Sequence, residues 1–261
     1  MFDHHRRTIE RLRERFERDP EVLALIVLGS VGRDEARADS DVDCCLVVTD
    51  VAYRRRQATG ELGFSANELA DYPHGQAGGI VVDAGFLHDV AERGPEPARF
   101  AFSGTYLAFS RIADLRNTLE RIPRYPEHER HEKLVSFASQ LPVHASYLEL
   151  GEYSRNPYLL AQTAVELVLF GGRLILAHNR MLYPGRKWFM RELERAPEKP
   201  AGLLDRAQAL VAQPTIAHSR AFVDLVLAFQ PWPQAPEGGM QRYQRDREQT
   251  WRLGCVPLAD S

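Results

Sequence analysis

The chain has 261 residues, enough for one large domain or two ordinary ones with a sizeable core. Its 44% hydrophobic and 26% charged residues are those of a folded globular protein, and no stretch reads as a signal peptide or membrane span, so a cytoplasmic protein without a membrane partner is expected. A formal net charge of −3 argues against a long nucleic-acid partner, and the three cysteines (adjacent Cys44 and Cys45, and Cys255 near the end) read as reduced packing residues.

In chain order, His5 to Arg18 is a predicted helix whose Ile9, Leu12 and Phe16 form one apolar stripe among charges. Val22 to Leu28 is an apolar run of strand length, and Asp43 to Val48 is a second. Between them Gly29-Ser30 demands a sharp bend, and Val31 to Ala36 can start a short helix. Free N–H groups there and the Ser30 hydroxyl would face an anion. Asp41 and Asp43 are two apart at a strand start, so their side chains share a face, roughly 6 to 7 Å apart. Two carboxylates so close repel each other unless a cation lies between them, and hard oxygen ligands without Cys or His suit Mg²⁺ shared with phosphates.

The run Gly29-Ser30-Val31-Gly32-Arg33-Asp34-Glu35-Ala36-Arg37-Ala38-Asp39-Ser40-Asp41-Val42-Asp43 resembles the signature of the DNA polymerase β-like nucleotidyltransferase superfamily. Its inner Gly32 and the Ser40-Asp41 pair look like the variant in small bacterial members, including aminoglycoside- and lincosamide-type antibiotic-modifying ones. The resemblance implies an α+β fold, with a mixed β-sheet and flanking helices in the catalytic domain. Gly29, Ser30, Arg33 and Ser40 would then bind the nucleotide, and Asp41 and Asp43 the metal. Members usually add a third carboxylate on a later strand. Asp83, within the strand-like Gly79 to Leu87, is the candidate, ahead of Asp71, Asp89 and Asp114 in polar or helical contexts. Three carboxylates would bridge two Mg²⁺ ions. The implied reaction transfers a nucleoside monophosphate, with ATP as donor, to a hydroxyl of a small acceptor and releases pyrophosphate. No G-x-x-x-x-G-K-[ST] loop or G-x-G-x-x-G occurs.

Further along, Tyr53 to Gln76 is a polar stretch with room for a helix and loops, Thr105 to Ser110 is strand-like, and Ala113 to Glu120 reads as a short helix. Pro123 and Pro126 mark a boundary, giving a catalytic domain over 1–122 and a helical bundle over 123–261 that closes over the site. In the second part Leu134, Phe137, Leu141 and Leu148 repeat at helical spacing, with a kink expected at Pro142. Asn156-Pro157 opens a helix to about Asn179 that is apolar on most sides. Lys187 to Arg195, Ala201 to Ala212 and Thr215 to Phe229 are further predicted helices.

On the Asn156 helix, Gln162, Glu166, Arg173 and Arg180 fall on one narrow stripe, which faces either bulk water or the inter-domain cleft. In the cleft Glu166 would act as general base and an arginine would neutralise phosphate. Gly171-Gly172 in mid-helix implies close backbone packing or a break. By likeness to antibiotic adenylyltransferases, Lys187 would reach the triphosphate; otherwise it lies solvated beside Trp188. Two other functions fit the same residues: a protein-modifying nucleotidyltransferase of antitoxin type, and a nucleotide-binding regulator without catalysis. The sequence leaves the oligomeric state open.

Overall fold

The computed structural model describes residues 1–254, 256, 258 and 259; Cys255 lies outside the described residues. The chain divides into two compact units, Met1–Arg124 and Tyr125–Ser261.

The first unit is built on a five-stranded mixed sheet. Its strands are β1 (Val22–Val27), β2 (Val42–Val48), β3 (Gly63–Ser65), β4 (Ala77–Val82) and β5 (Tyr106–Ser110), in the order β3-β4-β2-β1-β5. β2 runs antiparallel to β1 and parallel to β4, and the central strands β1 and β2 are buried on both faces. That double burial is why they read as continuous apolar runs rather than as alternating ones. On one face Val27, Val42, Cys44, Leu46 and Val81 pack with Ile9 and Leu12 of helix α1 (Asp3–Glu17). On the other face Ile26, Cys45, Val47 and Val82 pack under three helices: α4 (Ala84–Arg93), α5 (Glu96–Ala101) and α6 (Leu115–Arg121). Helices α2 (Gly29–Gly32) and α3 (Asp50–Thr59) link the first three strands, and α3 begins on a Thr49 cap. Cys44 and Cys45 are reduced, and burial raises the pKa of both thiols.

One predicted element differs. The segment expected as a single strand through Asp83 is a strand ending at Val82, followed at once by α4. Asp83 is the helix cap, and its carboxylate accepts the Phe86 N–H at 2.7 Å. Leu87 and Val90, three residues apart on the helix, carry its apolar contact with the sheet.

The second unit is helical: α7 (Arg130–Tyr153), α8 (Pro157–His178), α9 (Phe189–Arg195), α10 (Leu203–Ala212), α11 (Ile216–Phe229), α12 (Gly239–Arg247) and α13 (Thr250–Leu253). α7 continues through Pro142. α8 is long and apolar enough to cross a membrane by length and composition, and 61% of its most apolar window is buried inside the unit. Such burial makes it the core helix of the bundle. Gly171 and Gly172 do not break it. A Cβ at Gly171 would lie 2.7 Å from the Phe222 ring, and one at Gly172 2.4 Å from Phe189, so both glycines admit close packing.

The predicted polar stripe of α8 separates into four environments. Gln162 is exposed. Glu166 pairs with Arg247 and accepts from His144 Nδ1 at 3.1 Å. Arg173 is fully buried, its guanidinium 4.5 Å from the Phe137 ring centre and 4.7 Å from that of Tyr183, and it donates to the Leu258 carbonyl. Arg180 lies beyond the helix end in a surface pair with Glu127.

Candidate active site

The site is assembled where β1 ends and β2 begins. The Leu28 N–H donates to the Asp43 carbonyl at 2.8 Å, extending the β1–β2 ladder by one bond before the chain turns. Gly29 then takes φ +64°, a conformation that a side chain would strain. Its Cα also lies hard against Asp43, since a Cβ built there would fall 2.5 Å from Asp43 Oδ2. Glycine is therefore required twice over at this position. Gly32 is similarly confined, because its Cβ would meet the Val27 carbonyl oxygen at 2.7 Å. α2 thus sits directly on the strand end, with Ser30 following the glycine that packs on the Asp43 carboxylate.

Asp41 and Asp43 are both exposed and flank buried Val42. The loop before them is clasped from below. The Tyr72 hydroxyl donates to the Ser40 carbonyl at 2.8 Å, His5 Nε2 meets the same oxygen at 3.1 Å, and His4 Nε2 meets the Ala38 carbonyl at 2.9 Å. The amino terminus pairs with Asp34. Burial, with Asp41 and Asp43 nearby, raises the Tyr72 pKa. Burial, aided by His4, lowers that of His5. Tyr72, His4 and His5 were not foreseen as site residues. The signal available was their aromatic and imidazole character in otherwise charged segments, which does not reveal that they meet one loop.

Two nucleotide-binding expectations resolve differently. The Ser40 hydroxyl accepts the Arg37 N–H at 2.9 Å and so shapes the loop. Arg33 is mostly buried, paired with Glu35 at 3.2 Å and stacked 5.3 Å from the Phe100 ring centre. Lys187 belongs to the second unit, exposed and 5.2 Å from the Trp188 ring centre. Glu166 also belongs to the second unit, held by Arg247 and His144.

Asp83 does not join Asp41 and Asp43, which corrects the expected triad. The β2–β4 register sets Asp43 opposite Gly78 and Val47 opposite Val82. Asp83 therefore lies five residues along β4 from the point level with Asp43, about 16 Å away. Its carboxylate is committed to capping α4. The β4 positions sharing a face with Asp43 are Gly78, Ile80 and Val82, none of them acidic. Among the described residues no group of three His, Cys, Asp or Glu side chains is placed to hold a metal ion.

The donor set fits one hard divalent cation. Asp43 lies against a backbone that leaves no room for a Cβ, and Asp41 stands two residues before it at the same strand end, so two carboxylates are available and the remaining ligands would be phosphate oxygens and water. It does not fit a pair of ions bridged by three carboxylates.

Residues 6–96 match the family model of the nucleotidyltransferase domain. No curated protein matches the chain. Among solved structures, a nucleotidyltransferase-like protein from Exiguobacterium sibiricum is similar, with 12% identity and a TM-score of 0.43 over 95% of this chain and 78% of that one. The family match runs from α1 to the start of α5 and takes in Gly29, Ser30, Asp41 and Asp43, so this part of the chain is a nucleotidyltransferase domain.

Proposed function

We propose that the protein transfers a nucleoside monophosphate, most simply AMP from ATP, to a hydroxyl of a small acceptor, using one Mg²⁺ held by Asp41 and Asp43. The observation that carries this reading is the seating of Gly29 against the Asp43 carboxylate, with Asp41 two residues away, inside the family match. The triphosphate would lie at Gly29 and Ser30, where backbone N–H groups and a hydroxyl offer donors to its oxygens. A cation bound there supplies charge neutralisation for the phosphates and the developing negative charge. Asp41 and Asp43 fix where that charge sits, while the clasp of Tyr72 and His5 on the Ser40 carbonyl holds Asp41 in place. Phosphoryl chemistry asks a protein mainly for such alignment and electrostatics.

The reaction belongs in the cytoplasm on this reading, where Cys44 and Cys45 stay reduced. The reading assigns no step to Glu166, whose carboxylate is held by Arg247 and His144, or to Lys187, which lies beside Trp188. Antibiotics are one class of small hydroxylated acceptor that the reading admits.

Purified protein incubated with ATP, Mg²⁺ and a panel of hydroxylated acceptors should release pyrophosphate, and Asp41→Asn and Asp43→Asn should abolish that release. Near-wild-type release from either folded variant would end the proposal. The commitment of Asp83 to capping α4 gives one alternative a specific footing: ATP–Mg²⁺ binding without pyrophosphate release would assign the chain as a nucleotide-binding regulator.

A further inference from the structure

The sheet order gives Asp43 different surroundings on its two sides. Towards β1 it meets Gly29 and α2. Towards β4 it faces bare backbone. Asp43 is in register with Gly78, and Gly78 with Ser65 of β3, so the three form one row across three strands with a common face. Ser65 therefore stands two strand spacings from Asp43, about 10 Å, with no side chain between them. The gap is built in, because a Cβ on Gly78 would fall 2.5 Å from the Phe64 carbonyl oxygen.

The resulting depression has a volume of about 250 Å³. That is below the roughly 300–1,000 Å³ of drug-sized sites. Apart from Asp41 and Asp43, its polar lining is neutral, from Ser65, Asn67 and Gln76. Asn67 accepts the Ala77 N–H through Oδ1 at 2.9 Å, which fixes its side chain and leaves the amide N–H groups as its remaining donors.

Resting on the nucleotidyl-transfer reading above, we propose that this trough over Gly78 is the acceptor subsite and takes a neutral polyhydroxylated molecule of about monosaccharide size. In displacement at phosphorus the attacking and leaving oxygens are roughly in line. With the triphosphate at Gly29 and Ser30, pyrophosphate departs on the β1 side, so the hydroxyl arrives from the β4 side. Its oxygen forms a bond to the α-phosphorus of the nucleoside triphosphate as the bond from that phosphorus to the bridging oxygen breaks. Pyrophosphate leaves with the electron pair, and the hydroxyl proton passes to solvent. Ser65 and Asn67 bind the acceptor's other hydroxyls and set specificity. A polycationic acceptor finds no anion in the trough's lining beyond the two carboxylates that would hold the metal.

The test is an amide-shift titration of the ¹⁵N-labelled full chain with Mg²⁺ and α,β-methylene-ATP, followed by glucose or myo-inositol. The nucleotide analogue should move Gly29, Ser30 and Asp43; the polyol should then move Ser65, Asn67, Gly78 and Gly79. Ser65→Trp should raise the polyol concentration at half-shift at least about tenfold, and the milder Ser65→Ala about threefold, with the analogue's own titration unchanged. An analogue that moves none of its three residues overturns the transfer reading, and this inference with it. Where the analogue binds, polyol shifts at Gly29 and Ser30 alone, no polyol shift, or indifference to both Ser65 variants overturns the acceptor subsite while leaving nucleotide binding intact.

Discussion

Replacing Asp43 with asparagine keeps the shape against which Gly29 packs and removes one of the two charges at the strand end. Asp43→Asn, and likewise Asp41→Asn, should lower nucleotidyl transfer at least about 100-fold, the order lost when one charge-stabilising group is removed from a reacting centre. Melting temperature should barely change, since both residues are exposed. Asp83 predicts the opposite pattern. Asp83→Ala deletes the cap on the Phe86 N–H and should cost about 0.5–2 kcal/mol of stability in a urea titration, with pyrophosphate release per folded molecule unchanged. Tyr72 acts on the same site at one remove. Tyr72→Phe loses one of the two hydrogen bonds on the Ser40 carbonyl, about 1 kcal/mol, and should weaken Mn²⁺ binding roughly fivefold without unfolding the unit. Mn²⁺ titration by electron paramagnetic resonance measures this, and unchanged affinity would reduce Tyr72 to a packing residue.

Elements differ in how legible they were from residues alone. β1 and β2 were readable because strands buried on both faces become uninterrupted apolar runs, and the Gly29-Ser30 turn between them has few other uses. The end of β4 was misread for a physical reason. An aspartate after Ile80-Val81-Val82 serves equally as a charged residue inside a strand or as a helix cap, and only the helical spacing of Leu87 and Val90 decides between them. The clasp of His4, His5 and Tyr72 joins residues more than 30 apart in sequence, and no local pattern carries that information. Glycines at Gly171 and Gly172 gave two readings, and packing with Phe222 and Phe189 selects one. Gly172→Ala should therefore destabilise the helical unit by about 1–3 kcal/mol, although alanine is the better helix former. Urea unfolding followed by tryptophan fluorescence is the measurement, and a stabilised variant would show that Phe189 moves aside freely.

At the scale of the whole molecule, the two units can be followed separately. All three tryptophans, Trp188, Trp232 and Trp251, belong to the second unit, so their fluorescence reports on it alone. That unit contains a buried histidine with a definite pH signature. His144 stacks on Phe170 with ring centres 5.5 Å apart, meets Tyr243 edge-on, and shares the Glu166 carboxylate with Arg247. Burial, reinforced by Arg247, pushes its pKa down to about 3, so in the folded unit it is a neutral ring donating from Nδ1 to Glu166. In the unfolded chain it titrates near its ordinary value of 6.5. Between these two values the unfolded state binds the proton and the folded state does not. Stability is therefore fully present above pH 6.5 and falls as pH drops towards 3, by about 1.4 kcal/mol per pH unit. Carboxylates begin to contribute only below about pH 5, so the His144 contribution is read over the interval from 6.5 to 5, with an expected loss of about 2 kcal/mol. Urea midpoints from tryptophan fluorescence across that interval measure it. His144→Gln should flatten the slope while lowering stability at neutral pH, because the ring's stacking is lost. An equal slope in that variant would assign the acid sensitivity of the helical unit to another group.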